Sequence, residues 1–163
     1  MSARPTHPPP LSEEHVQFIQ GGVAIDLATR DFRNIPRVAL GIGVRVSPDR
    51  RRVSLIVADR MIGRFTEALK GTRAIAAVFA LPSTHRAIQI KGSDAVIEAV
   101  LETDQALVEK TIAAFAADLL PWGVPEAAAR AVMTYRPNEL IAISFTPDAV
   151  YEQTPGPKAG TRL

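Results

Sequence analysis

The chain of 163 residues contains no cysteine. That removes disulfide frameworks, thiolate metal sites and cysteine nucleophiles together. Its three histidines, His7, His15 and His85, are too scattered for a metal site, and no metal is expected. Aromatic residues make up only 6% of the chain. The arginine run at 50–52 has none interleaved with it, so no nucleic-acid partner is expected. No apolar run approaches the roughly 20 residues that span a bilayer, and MSARPTHPPP lacks the apolar segment of a secretory signal. The expectation is a soluble, cytoplasmic protein. GxGxxG, Walker, GxSxG and HExxH motifs are all missing. Ser83–Thr84–His85 reads as a turn leading into a strand, not as a nucleophile beside its base, and catalytic residues stay unassigned.

What is present suits one domain with a real core: 47% hydrophobic and 22% charged residues. The net charge of +2 hides a segregation. Residues 30–91 hold thirteen Lys/Arg against four Asp/Glu, and residues 92–163 hold five against ten. Such a gradient fits an anionic ligand gathered by the first half; strand-edge arginines that keep a sheet soluble fit equally well.

The central stretch is 73–100. RAIAAVFA (73–80) and HRAIQIKGSDAVIEAV (85–100) read as two strands joined by a short connection, the second alternating with period two. The second exceeds usual strand length, so it should bend at Gly92 and serve both halves of a small barrel. Before it, residues 1–11 read as a flexible Pro-rich arm, and 11–20 as a short helix capped by Ser12. VAIDLATRD (23–31) alternates as a strand. RVALGIGVRV (37–46) follows, with Val38, Leu40, Ile42, Val44 and Val46 on one face and Ala39, Gly41 and Gly43 on the other. Small residues on one face leave room for something flat, a packed element or a ligand. VSLIVAD (53–59) should pair with 37–46, and RMIGRFTEALKG (60–71) should be a helix. Arg60 and Arg64 would then lie one turn apart near its N-terminus, an anion site within reach of Arg37. Later come an amphipathic helix over 102–120, a second over 125–133, a strand over 139–145, and a Pro/Gly-rich tail. The fold class expected is mainly β with peripheral helices: a Greek-key-like split β-barrel of about six antiparallel strands. One domain spans 12–151, and the tail covers 152–163.

Several of these residues carry a family resemblance. Pro36-Arg37-Val38-Ala39-Leu40, the helix near Arg60, Arg73 to Phe79, and His85-Arg86-Ala87-Ile88-Gln89-Ile90-Lys91-Gly92 stand in this order. They resemble the pyridoxamine 5′-phosphate oxidase-like split-barrel proteins, and Gln153-Thr154-Pro155-Gly156-Pro157 is similar to the tail of a subgroup. The resemblance covers roughly residues 12–100 and the tail; residues 102–138 match less clearly. It implies an FMN-binding homodimer, with flavin at the subunit interface, that acts as a flavin-dependent oxidoreductase with a donor such as NAD(P)H. It places Arg37, Val38, Ala39 and Leu40 along the flavin, Ala58, Asp59, Arg60 and Arg64 around its phosphate, and Arg86 and Ala87 near its ring. The alternative on the same fold is a non-catalytic holder of flavin, haem or deazaflavin. Ile42 and Gly43 stand where oxidases of the family carry a lysine, and Ala87 where they carry a glutamine. These departures point away from pyridoxamine phosphate as substrate.

Overall fold

Two antiparallel sheets carry the fold, and twice the chain passes from one to the other without turning back. The computed structural model describes residues 10–163, with the backbone alone at Met61. The arm expected over 1–11 therefore lies outside the described residues except at its end. There Leu11 is buried, and its N–H donates to the Arg50 carbonyl at 2.9 Å.

Helix α1 (Glu13–Ile19) starts at Ser12, whose Oγ accepts the His15 N–H, and it buries Phe18 and Ile19. Strands β1 (Ala24–Arg30) and β2 (Pro36–Gly41) pair antiparallel. Ile42 then interrupts the run, and β3 (Gly43–Val46) joins the other sheet against β4 (Val53–Ala58). The single strand expected over 37–46 is thus two, and only its second half pairs with 53–58. The extra residue also inverts the faces, as a one-residue slip must. Ala39 and Gly41 point into the core with Val44, while Val38 and Leu40 face out, 76% and 37% exposed. What lies against Ala39 and Gly41 is the barrel's own interior, where a Cβ on Gly41 would meet Ile25 at 2.7 Å, and what lies against Gly43 is Val108 of the helical layer, at 3.1 Å.

After β4 a 3-10 turn (Asp59–Met61) leads through Gly63, at φ +47, into α2 (Phe65–Thr72). The helix expected from residue 60 therefore begins at Phe65, with Arg64 at its N-cap position. Arg60 and Arg64 sit on different elements. The barrel continues with β5 (Ile75–Ala80) and β6 (Ala87–Gly92). Beyond Gly92 the chain crosses sheets again into β7 (Val96–Glu98). Gly92 is where the bend was expected, and the reason is contact: a Cβ there would stand 2.4 Å from the Phe145 ring.

Helices α3 (Asp104–Leu119) and α4 (Glu126–Val132) follow, then β8 (Leu140–Phe145) and β9 (Ala149–Glu152). The last was not expected: it lies between the strand expected to end at 145 and the tail expected from 152. Tail residues fold back on it, with Arg162 bridged to Tyr151 and the Leu163 N–H on the Val150 carbonyl at 2.9 Å. Sheet orders are β2-β1-β5-β6-β9 and β3-β4-β8-β7. The nine strands among the described residues exceed the six or so expected because both long strands divide at their crossings and β9 adds one more. The architecture is the split barrel with peripheral helices.

One core fills the space between the sheets, with Phe65, Phe79 and Phe145 fully buried in it. A second lies outside the four-stranded sheet, where Ile42, Ile56 and Ala142 meet Val108, Ile112 and Phe115 of α3 and Met133 beyond α4. Because β4 serves both cores, every one of its residues is buried. At the start of α3 Thr103 makes no side-chain cap. Instead the buried Asp104 accepts the Leu101 N–H at 2.8 Å and two bonds from Arg45, at 3.0 and 3.3 Å. That carboxylate ties α3 to β3.

Candidate functional site

Arg37 projects from β2, opposite Thr29 of β1, and Arg64 from the N-cap of α2. Both line one cleft of about 250 Å³, together with Asp31, Phe32, Glu67, Ala68 and Gly71. Gly71 makes room for the Phe32 ring, which a Cβ would meet at 2.9 Å. Neither guanidinium forms an ion pair or hydrogen bond among the described residues, although two carboxylates share the cleft. Asp31 is engaged by its own turn. Its Oδ1 accepts the backbone N–H groups of Ile35, at 3.0 Å, and Arg33, at 2.9 Å. The Ile35 bond leads in holding its pKa below the ordinary value. Two partnerless guanidiniums on one concave surface can take a dianion in bidentate fashion.

The other residues singled out in the sequence lie elsewhere. Arg60 Nε stands 2.9 Å from Glu139 and its Nη2 donates to the Thr134 carbonyl at 2.7 Å. Asp59, beside it, is exposed, and Ala58 is fully buried against the helical layer. Val38 and Leu40 present their side chains to solvent on the face of β2 opposite Arg37, and Ala39, on the face of Arg37, points to the core. Arg86 reaches α1, where it bonds to Glu14 and lies 4.4 Å above the Phe18 ring. Ala87 is clipped to the tail: its N–H donates to Thr154 Oγ1 at 3.0 Å and its carbonyl accepts the Gln153 N–H at 2.8 Å.

Strand register sets these two groups apart. Ala87 aligns with Ala80 and through it with Ala24, at the end of β1 away from Thr29. Five residues of strand separate the levels, about 17 Å. No single cleft of one protomer holds Arg37 and Arg86 together.

Two features escaped the sequence reading. Phe32, Ile35, Val38 and Leu40 form an exposed apolar series around the β1–β2 turn and along β2, invisible while their alternation appeared to face inward. Asp26 stands on the outer face of the five-stranded sheet with no hydrogen bond or ion pair among the described residues, and burial raises its pKa. A lone acid inside an apolar strand was the available sign. Among the described residues no cluster could hold a metal ion, and no helix is long and apolar enough to cross a membrane.

No protein-family model and no curated protein sequence matches the chain. Solved structures do, at the level of fold. HupZ of Group A Streptococcus superposes over 93% of this chain and 99% of its own, with a TM-score of 0.54 and 12% identity. An F420 reductase covers 86% of this chain and 98% of its own, at a TM-score of 0.52 and 14% identity. A pyridoxamine 5′-phosphate oxidase-related, FMN binding protein of Nostoc punctiforme covers 91% and 87%, at 0.50 and 15%. The split barrel that the sequence resembled is the fold these proteins share with this chain.

Proposed function

We propose that the chain binds FMN and acts as a flavin-dependent oxidoreductase, as a homodimer with the flavin at the subunit interface. The observation that carries the reading is the pair of guanidiniums, Arg37 and Arg64, on one cleft, neither with a hydrogen bond or ion pair among the described residues. The fit is chemical. Arg37 and Arg64 neutralise a terminal phosphate, while Phe32, in the same lining, gives an apolar border for a flat ring. Arg86 and Ala87 are too far along the sheet to join them within one protomer, so their part comes from a second copy. The isoalloxazine, when bound, supplies the hydride or electron transfer, with NAD(P)H the proposed donor. The chain's own contribution is binding, orientation and charge.

A second reading, a holder of flavin, deazaflavin or haem without turnover, is favoured by one observation. The cleft lining includes no histidine, tyrosine or hydroxyl group to move a proton. The test is a visible spectrum of the purified protein before and after incubation with FMN and removal of the excess. Retained bands near ~450 nm, bleached by NAD(P)H, support the oxidoreductase. Bands that no donor bleaches support the holder, a Soret band supports haem, and a colourless protein after reconstitution removes the flavin reading.

A further inference from the structure

The cleft of Arg37 and Arg64 is laid out along one stripe of α2. Arg64, Glu67, Ala68 and Gly71 follow at i, i+3, i+4 and i+7, so they share one face of the helix. From Arg64 to Gly71 that face runs about 10 Å along the axis. It presents a cation first, a carboxylate one turn on, and two small residues after it, with the Phe32 ring resting against Gly71. Arg37 reaches the same cleft from β2.

Glu67 is the group that a phosphate site alone leaves unexplained. It stands third in α2, where a glutamate can turn back to cap the start of its helix, and it makes no such bond. It forms no hydrogen bond or ion pair among the described residues, although two guanidiniums share its cleft. The other carboxylate there, Asp31, is already taken by two backbone N–H groups. A free acid beside a bound phosphate costs affinity by repulsion unless the ligand brings it a donor.

We infer that Glu67 accepts hydrogen bonds from hydroxyl groups on the ligand's chain, and so selects a phosphate ester of a polyol. The inference rests on the flavin reading above and orients the flavin in the cleft. Its phosphate lies at Arg37 and Arg64, its hydroxylated chain along Glu67, and its ring toward Phe32 and Gly71. A hydroxyl that donates to a carboxylate makes a short, charge-assisted bond. The same acid repels a second anionic group on a ligand, such as the carboxylates of a haem.

The test is a flavin titration of the wild type, Glu67→Gln and Glu67→Ala. The probes are FMN and an analogue in which an unsubstituted pentyl chain joins the phosphate to the isoalloxazine. The wild type should prefer FMN on the order of tenfold. Glu67→Ala should erase that preference through weaker FMN binding alone, and Glu67→Gln, whose amide oxygen still accepts, should keep part of it. Thermal melts check that the variants fold, as a substitution at this exposed position allows. A preference that survives in Glu67→Ala, or an equal tightening of both probes in either variant, overturns the role of Glu67 and leaves the phosphate site standing. A wild type that binds neither probe overturns the flavin reading and this inference together.

Discussion

Replacing Arg37 or Arg64 with alanine tests the phosphate site most directly. Neither guanidinium has a hydrogen bond or ion pair among the described residues, and the carboxylate that feels the Arg37 charge, Asp31, is held by its own turn, so the fold should tolerate either removal. A hydrogen bond to a charged group contributes about 1.5–3 kcal/mol, and each 1.4 kcal/mol is about tenfold in affinity. The cleft is open to water, which favours the lower half of that range. FMN binding should therefore weaken about ten- to fifty-fold for either variant. The double variant should lose less than the product of the two, because both groups share one ligand. The assay is quenching of flavin fluorescence at fixed ionic strength, run in parallel with FMN and with riboflavin. Riboflavin has no phosphate, so its affinity should stay within about twofold in every variant. Equal losses for the two flavins would refute the assignment and move both arginines to a structural role. Unchanged FMN affinity would place the phosphate elsewhere.

Three further outcomes follow from the fold. Gly92→Ala puts a Cβ 2.4 Å from the Phe145 ring and 2.9 Å from the Thr146 carbonyl; urea melts should show a loss of about 1–3 kcal/mol. Asp104→Ala removes the carboxylate that holds Arg45 and the Leu101 N–H. With Arg45 still 31% exposed, the cost should sit near about 3 kcal/mol, the low end for a broken buried pair, read as a lower urea midpoint. His15 has its pKa held below the ordinary 6.5, chiefly by burial, against the pull of Glu14. The unfolded chain therefore takes up its proton first. Stability from this group is complete above about 6.5 and declines as pH falls below it. Melting temperatures should drop between pH 7.5 and 5.5, and less steeply in His15→Gln; parallel profiles would rule the imidazole out.

Much of the architecture was legible because local signals agreed with the global fold. The alternation of 24–30, the glycine at 92 and the serine before α1 each state a local requirement that the barrel also imposes. The crossing at Ile42 was not legible. Residues 38–46 alternate without a break, and only the competition of two sheets for one strand shows where parity flips. The start of α2 was masked in the same way, since Gly63 with positive φ sits inside a pattern that counts as helical. At the candidate site the arginines could be found by charge, but their fates could not. Arg60 is drawn to Glu139 and Arg86 to Glu14 and Phe18, contacts that depend on the finished fold. The strand Ala149–Glu152 was missed because prolines and glycines on either side read as a tail.

Helices α3 and α4 sit on the outer side of one sheet and leave the outer side of the other bare. The consequence concerns valence. A sandwich with two open faces can stack without limit, each copy passing on the surface it has not used. This chain has spent one face on its own helices, and its tail lies along the free edge of β9. In the proposed homodimer a protomer that spends its one open sheet face on its partner has no second such face to pass on, so the pair closes at two.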